Sequence, residues 1–466
     1  MEGNLYRGAI FKGTWSAIFG LIHNQACRGT GRPKGRDRLK HYEIGRLIAR
    51  IAVTGALTSG VAVAAVSGPA YAAGTTRYVG ASAGSDTSCA SPGYTTVQAA
   101  VNAASPGDTV FLCGTTAYKE QVIITKSITL TGDKGATIAA PSTWVASADP
   151  LPPQFASDNL LQPQALVLAW GKGVHVTISG LTIAGPLPGN GGCAEEEFGI
   201  LVIDGASAQI THDAVTNIAD ANTSLYGCQY GIGIGIGHEH WPTPGFASNP
   251  VVDFTGSATI SHTTVSGYQK DGIDVDGPGT YAQVRDNTVT ATGPTSLLGR
   301  SIAPNGIEVA RGAFAQIQGN TVSGNQYTDP TEPNDATGIL LFGGCGDPLV
   351  THVTVADNKV VNNDVGIYLG NFGPDPSCTA STDTRTGDVV TRNQISDSAV
   401  THTSGPPDCA YQAGVQDQAG NHDVIDFNHI SGAGYLNHPT CTTAQPYTTF
   451  RIDTTGAIDP IVFFNL

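Results

Sequence analysis

Charge is scarce in this chain of 466 residues: Asp, Glu, Lys and Arg make up 13% of it, and it holds one Met against 59 Gly and 27 Pro. Without runs of helix-forming residues a helical bundle is excluded, and many short strands and turns are expected. No CxxC pair and no Cys/His spacing of the zinc-binding kind occurs, so the eight cysteines after residue 72 read as structural pairs, Cys27 standing apart. Gly231-x-Gly233-x-Gly235 is followed by neither a helix start nor a Lys-Ser/Thr, which excludes a nucleotide-binding loop. Basic residues are short where it matters. Residues 1–72 hold 10 Lys/Arg against 3 Asp/Glu, and the rest 13 against 35. A body that acidic repels phosphate backbones, so nucleic acid is excluded as a partner.

What is present is a repeat. Lys270–Val289 reads KDGIDVDGPGTYAQVRDNTV and Asn305–Asn325 reads NGIEVARGAFAQIQGNTVSGN. Gly272-Ile273-Asp274-Val275 recurs as Gly306-Ile307-Glu308-Val309, and Ala282-Gln283-Val284 recurs as Ala315-Gln316-Ile317. Self-similarity of this kind marks a stack of equivalent units. The Gly-Ile strand recurs at Gly199, Gly231, Gly338 and Gly366, with Gly414-Val415 a weaker copy. A second strand carries Asn287, Asn320, Asn358, Asn393 and Asn428 in one slot, with Asp213 and Thr263 in that slot earlier. Period-two alternation sends Ile273, Val275, Ile307 and Val309 inward and the residues between them outward. Asparagine tolerates a left-handed turn and bonds to neighbouring backbone, so the slot predicts a side-chain ladder.

Three regions follow. Residues 1–45 form an extension or a mis-assigned start. Residues 46–72 read as a signal peptide: a basic Arg46–Arg50, an apolar Ile51–Val66, and Ala70-Tyr71-Ala72 for cleavage. Residues 73–466 form one repeat domain, secreted, monomeric and free of the membrane after cleavage. The apolar segment Val97–Ala103 has helical spacing and ends before Ser105-Pro106-Gly107.

TTVQAAVNAASPGDTVFLCG at 95–114 and YKEQVIITKSITLTG at 118–132 open the repeat, and over roughly residues 75–440 the chain resembles the pectin-lyase-like superfamily. The resemblance implies an all-β, single-stranded right-handed parallel β-helix with a short N-terminal capping helix, and a partner among extracellular polysaccharides. It is specific for fold and almost silent on activity, because that fold hosts lyases, hydrolases, epimerases and adhesins. Cysteines fall in pairs on neighbouring units, and bridged Cα atoms must lie within about 7 Å. The register therefore predicts Cys89–Cys113, Cys193–Cys228, Cys345–Cys378 and Cys409–Cys441.

Two places carry candidate chemistry. If Asp274 and Glu308 are equivalent positions, their backbones lie about 4.8 Å apart. Retaining glycosidases need a carboxyl pair about 5–5.5 Å apart and inverting ones about 6.5–9.5 Å. Asp271, Asp274 and Asp276 are equally a set of Ca²⁺ ligands. The set is similar to what pectate-lyase-type members use, which implies an acid-bound Ca²⁺ with a basic residue as base, here Arg285 or Lys270; Tyr268 and Arg311, near in sequence, are candidate substrate contacts. The second place is His238-Glu239-His240-Trp241, where Trp241 stacks on sugar and the histidines do acid–base work or bind metal. Gly233 and Gly235 before it leave room for a flat ring. Glu195-Glu196-Glu197 reads as a solvated loop. The readings to separate are a lyase, a hydrolase and a non-catalytic structural or carbohydrate-binding β-helix.

Overall fold

A computed structural model describes residues 74–144, 164–189, 197–222, 228, 230–240, 252–292, 303–327, 335–344, 347–372, 384–401, 403, 406 and 409–466. The signal segment, Cys193, Trp241, Cys345 and Cys378 lie outside these residues. No described helix is long and apolar enough to cross a membrane.

The alternation of aliphatic and polar residues resolves into three parallel sheets. The first has 12 strands, from Thr76–Val79 to Ile461–Phe463, and the second and third have 10 each. The chain visits the sheets in turn, so each sequence repeat is one rung of a coil. Its inward side chains form a single core column: Ile273, Val275, Ile307, Val309, Ile339 and Leu341 are all fully buried. Register matches the repeat residue for residue, with Asp274 opposite Glu308 and Gln283 opposite Gln316.

Two columns fix the stacking. Asn358 shows the asparagine ladder: its Oδ1 accepts from the backbone N–H of Asn320 at 2.9 Å and from Asn320 Nδ2 at 3.0 Å. Its own N–H and Nδ2 donate to Asn393 Oδ1, each at 3.0 Å. The same bonds run from Asn287 through Asn428, and Asn465 adds a last member. The second column is glycine. A Cβ on Gly272 would lie 2.5 Å from the Gly306 carbonyl oxygen, and one on Gly306 2.5 Å from that of Gly338. In this column Gly233, not Gly231, stacks between Gly199 and Gly272, because Phe198 pairs with Ile232 and Ile234 with Ile273. The slip is two residues, so every side chain keeps its face.

Helix α1 (Val97–Ala103) sits where the apolar spacing predicts and buries Val97, Ala100 and Val101. Thr96 and Glu120 satisfy its first N–H groups, Glu120 at 2.8 and 3.0 Å, and Lys126 bonds to the carbonyls of Asn102 and Ala104 at the other end. Gln98 Oε1 accepts from Ile123 N–H at 2.7 Å and Gln98 Nε2 donates to the Ile123 carbonyl at 3.1 Å. Val122–Ile124 is the edge strand of the second sheet, so the helix satisfies backbone groups that an open edge would expose. Cys89–Cys113 and Cys409–Cys441 form as the register predicts, and Cys228 is disulfide-bonded.

Candidate functional site

The outer face of the second sheet changes character along the coil. Leu168, Trp170, Phe198, Leu201 and Ile203 make a separate apolar cluster on its early rungs. The next rungs carry Asp271, Asp274, Asp276, Asn305 and Glu308. Outward on the sheet does not mean exposed: Asp274 is 6% and Glu308 8% accessible.

Within that cluster the acids divide by partner. Arg311, at a turn with φ of 50°, forms a two-pronged pair with Asp276, Nε to Oδ1 at 2.8 Å and Nη2 to Oδ2 at 2.6 Å. Asn305 Nδ2 bridges two acids, donating to Asp271 Oδ1 at 3.0 Å and to Glu308 Oε2 at 2.8 Å. Lys270 Nζ lies 3.7 Å from Asp271 Oδ1 and donates to the Ala303 carbonyl at 3.4 Å. Asp274 is different. Its Oδ1 is buried and has no hydrogen-bond partner. Burial first, then the charges of Asp276, Glu308 and Asp271, push the Asp274 carboxyl well above the usual carboxylate range. Asp271 is also raised, by burial foremost, with Lys270 working against the shift and Glu308 adding to it. For Lys270 burial pulls downward, but Asp271, Glu308 and Asp274 outweigh it and hold the ammonium above its ordinary value.

Several expected neighbours lie elsewhere. Arg285 is on the exposed side of the first sheet, opposite Ser261 and Gln318, and does not join the acids on the second sheet. Tyr268 is in the solenoid core, 1% accessible, with its hydroxyl donating to Asn325 Oδ1 at 2.6 Å, so it touches no substrate. Arg311 is committed to Asp276. His238 is buried, edge-on to the Phe198 ring at 5.7 Å between centroids. Burial lowers its pKa to about 4, against the pull of Asp276, so the ring is neutral. His238, Glu239 and His240 form a short antiparallel pair with Val252–Phe254. The space made by Gly235 is taken by the chain itself: a Cβ there would lie 2.7 Å from the Phe198 ring. Glu197 is likewise buried in a strand and accepts from Trp144 Nε1 at 2.6 Å, so it is not a solvated loop residue. Asn305, which orders the acids, was missed; its position opposite Asp271 in the register was the available signal.

The three aspartates do not fit a shared Ca²⁺. Both oxygens of Asp276 face Arg311, and Asp271 is held by Asn305 and Lys270, so side-chain cations already occupy the places a metal would take.

Three coiled parallel sheets with an internal asparagine ladder define a right-handed parallel β-helix. Residues 165–382 match the family described as right handed beta helix region. No curated protein matches the chain in sequence. Among solved structures it is similar to the Dettilon tailspike protein gp208, at 15% identity and TM-score 0.47 over 80% of this chain and 58% of that one. It is similar also to pectate lyase Pel9A, at 13% identity and TM-score 0.45 over 83% of this chain and 79% of that one. The GH136 lacto-N-biosidase from Eubacterium ramulus is 12% identical, with TM-score 0.43 over 84% of this chain and 68% of that one. The chain thus spans well under two thirds of the tailspike's length, and the likeness is one of fold.

Proposed function

We propose that the protein is a secreted glycoside hydrolase acting on an extracellular polysaccharide, with Asp274 as general acid and Glu308 as base or nucleophile. The observation that carries this reading is the placement of Asp274 opposite Glu308 on adjacent rungs, with a buried, unpartnered oxygen on Asp274. A carboxyl kept protonated by burial is what a general acid at neutral pH requires. Asn305 Nδ2 donates to Glu308 Oε2 and so orients that carboxylate beside Asp274. Lys270 and Arg311 offset two of the four acidic charges, so the site stays intact without all four acids protonated.

A lyase is the weaker reading on these residues. Its base must accept a proton, and the acids around Lys270 hold that ammonium charged, while Arg285 is on another sheet. The low accessibility of Asp274 and Glu308 supports one rival, a non-catalytic polysaccharide-binding β-helix.

The test is incubation of the purified protein with plant, algal and bacterial polysaccharides, with calcium and with chelator. New reducing ends are expected, unaffected by chelator and without the ultraviolet absorbance of an unsaturated product. Unsaturated product that vanishes with chelator would overturn the hydrolase reading in favour of a calcium-dependent lyase. Binding without cleavage would favour the rival.

A further inference from the structure

A second group of acids lies inside the solenoid, far along the coil from the candidate active site. The inward column Val275, Val309, Leu341, Leu369 continues in register to Asp417. An aspartate therefore stands where the pattern calls for an aliphatic side chain. Asp388 and Asp423, just before the following first-sheet strands, are inside with it, and all three are completely buried.

The hydrogen bonds separate Asp388 from the other two. Asp388 is satisfied at both oxygens, by Val353 N–H at 2.8 Å and Asn371 Nδ2 at 2.8 Å. Asp423 Oδ1 accepts from Thr386 Oγ1 at 2.6 Å and from Asp388 N–H at 2.7 Å, and Asp417 Oδ1 accepts from Gly420 N–H at 2.9 Å. Asp417 Oδ2 and Asp423 Oδ2 have no partner. Among the described residues no lysine or arginine pairs with any of the three acids. His422 is the neighbouring basic ring, and its Nε2 is turned to Asp459 at 3.8 Å.

Between the two orphaned carboxylates sits Gly420. A Cβ at that residue would lie 1.9 Å from Asp423 Oδ2 and 2.4 Å from Asp417 Oδ1, so both carboxylates converge over a residue with no side chain. Buried carboxylates without a counter-charge are costly, and such a group either takes up a proton or is met by a positive charge. Here, unlike the Asp271–Glu308 cluster, no side-chain cation supplies it.

We propose that Asp417 and Asp423 hold a hard, oxygen-seeking cation of the calcium class in the space over Gly420, as a structural clamp on the last rungs. Among the described residues no three acid, histidine or cysteine side chains converge on one point. The remaining ligands are then main-chain carbonyls and water, which calcium accepts with carboxylates at about 2.3–2.6 Å. The clamp ties the end of a second-sheet strand to the start of a first-sheet strand across a seven-residue loop, Asp417–Asp423.

The test uses the whole protein, stripped with chelator and titrated with calcium chloride by calorimetry and by thermal melting. Wild type is expected to bind one calcium per chain and to melt several degrees higher with it. Asp274→Asn should retain both effects, which separates this site from the proposed active site. Asp417→Asn and Asp423→Asn should lose both, and Asp388→Asn, whose oxygens are already satisfied, should keep them. Should Asp417→Asn not fold, Gly420→Ala tests the same space with both carboxylates intact. No binding heat and no melting shift in wild type would overturn the proposal, as would binding lost in Asp274→Asn and kept in Asp417→Asn.

Discussion

Asp276 and Arg311 show how much a single partner decides. The pair is almost wholly buried on the Asp276 side, and both carboxylate oxygens are engaged. Replacing Arg311 by Leu strands a buried carboxylate, so a loss of about 3–5 kcal/mol is expected in urea unfolding. A loss below about 1 kcal/mol would show that water reaches Asp276 and the pair is a surface one. At this scale the sequence was legible only in part. The opposition of Asp274 and Glu308 followed from the repeat, because equivalent positions on stacked rungs must face each other. The roles of Arg285, Arg311 and Tyr268 did not follow. All three stand close to the acids along the chain, but Arg311 is taken up by Asp276, and a turn between sheets places Arg285 and Tyr268 on other faces. Arg285 thus points away from the second sheet, and Tyr268 points into the core.

At the scale of the element, the asparagine ladder makes each rung depend on the next. Alanine at Asn358 removes the acceptor of the buried Asn320 N–H, while Asn320 Nδ2 keeps the Val284 and Gln318 carbonyls. One buried donor left unsatisfied costs about 1–3 kcal/mol, so Asn358→Ala is expected to lower unfolding stability by roughly 1–3 kcal/mol. Asn465→Ala, at the partly exposed end of the same ladder, should cost less than half of that. Equal losses would contradict a ladder whose strength comes from burial. Asp213 occupies the ladder position on an early rung and is pushed up to about 7 by burial, against the bonds from Leu181 and Thr211 N–H. A raised folded pKa means that the contribution is present in full below about 3.8 and is lost as pH rises toward 7. Asp213→Asn should therefore leave stability nearly unchanged at pH 4 and raise it at pH 8 by roughly 1–3 kcal/mol. The ladder was legible because one slot repeats one residue. The glycine column was legible except at Tyr230–Ile236, where the internal alternation YGIGIGI offers the same faces at two registers.

For the whole molecule, buried acids set the response to pH. Burial raises Asp213 and Asp364 to about 7 and Asp397 to about 6, so all three favour the folded state at low pH and withdraw that support as pH rises. His238 acts in the opposite sense. Its folded value of about 4 makes its support complete above about 6.5 and lost as pH falls toward 4. Three groups outweigh one, and the excess of acids adds repulsion at higher pH. The melting temperature is expected to be higher at pH 5 than at pH 8, by calorimetry in chelator; the reverse order would mean that these acids are ionised inside the fold. That the chain forms a parallel β-helix was legible from the rungs, whereas the use of its outer face was not. The fold supplies a durable outer face, and the chemistry depends on which few side chains an outward column happens to bring together.

Asp274 and Glu308 carry the proposed activity. The decisive measurement is release of reducing ends from a cleaved polysaccharide by wild type, Asp274→Asn and Glu308→Gln, each confirmed folded by its melting temperature. Loss of an acid–base group is expected to slow turnover about 10²–10⁴-fold in each variant. Wild-type rates in folded variants would contradict the assignment of the active site to this pair of rungs.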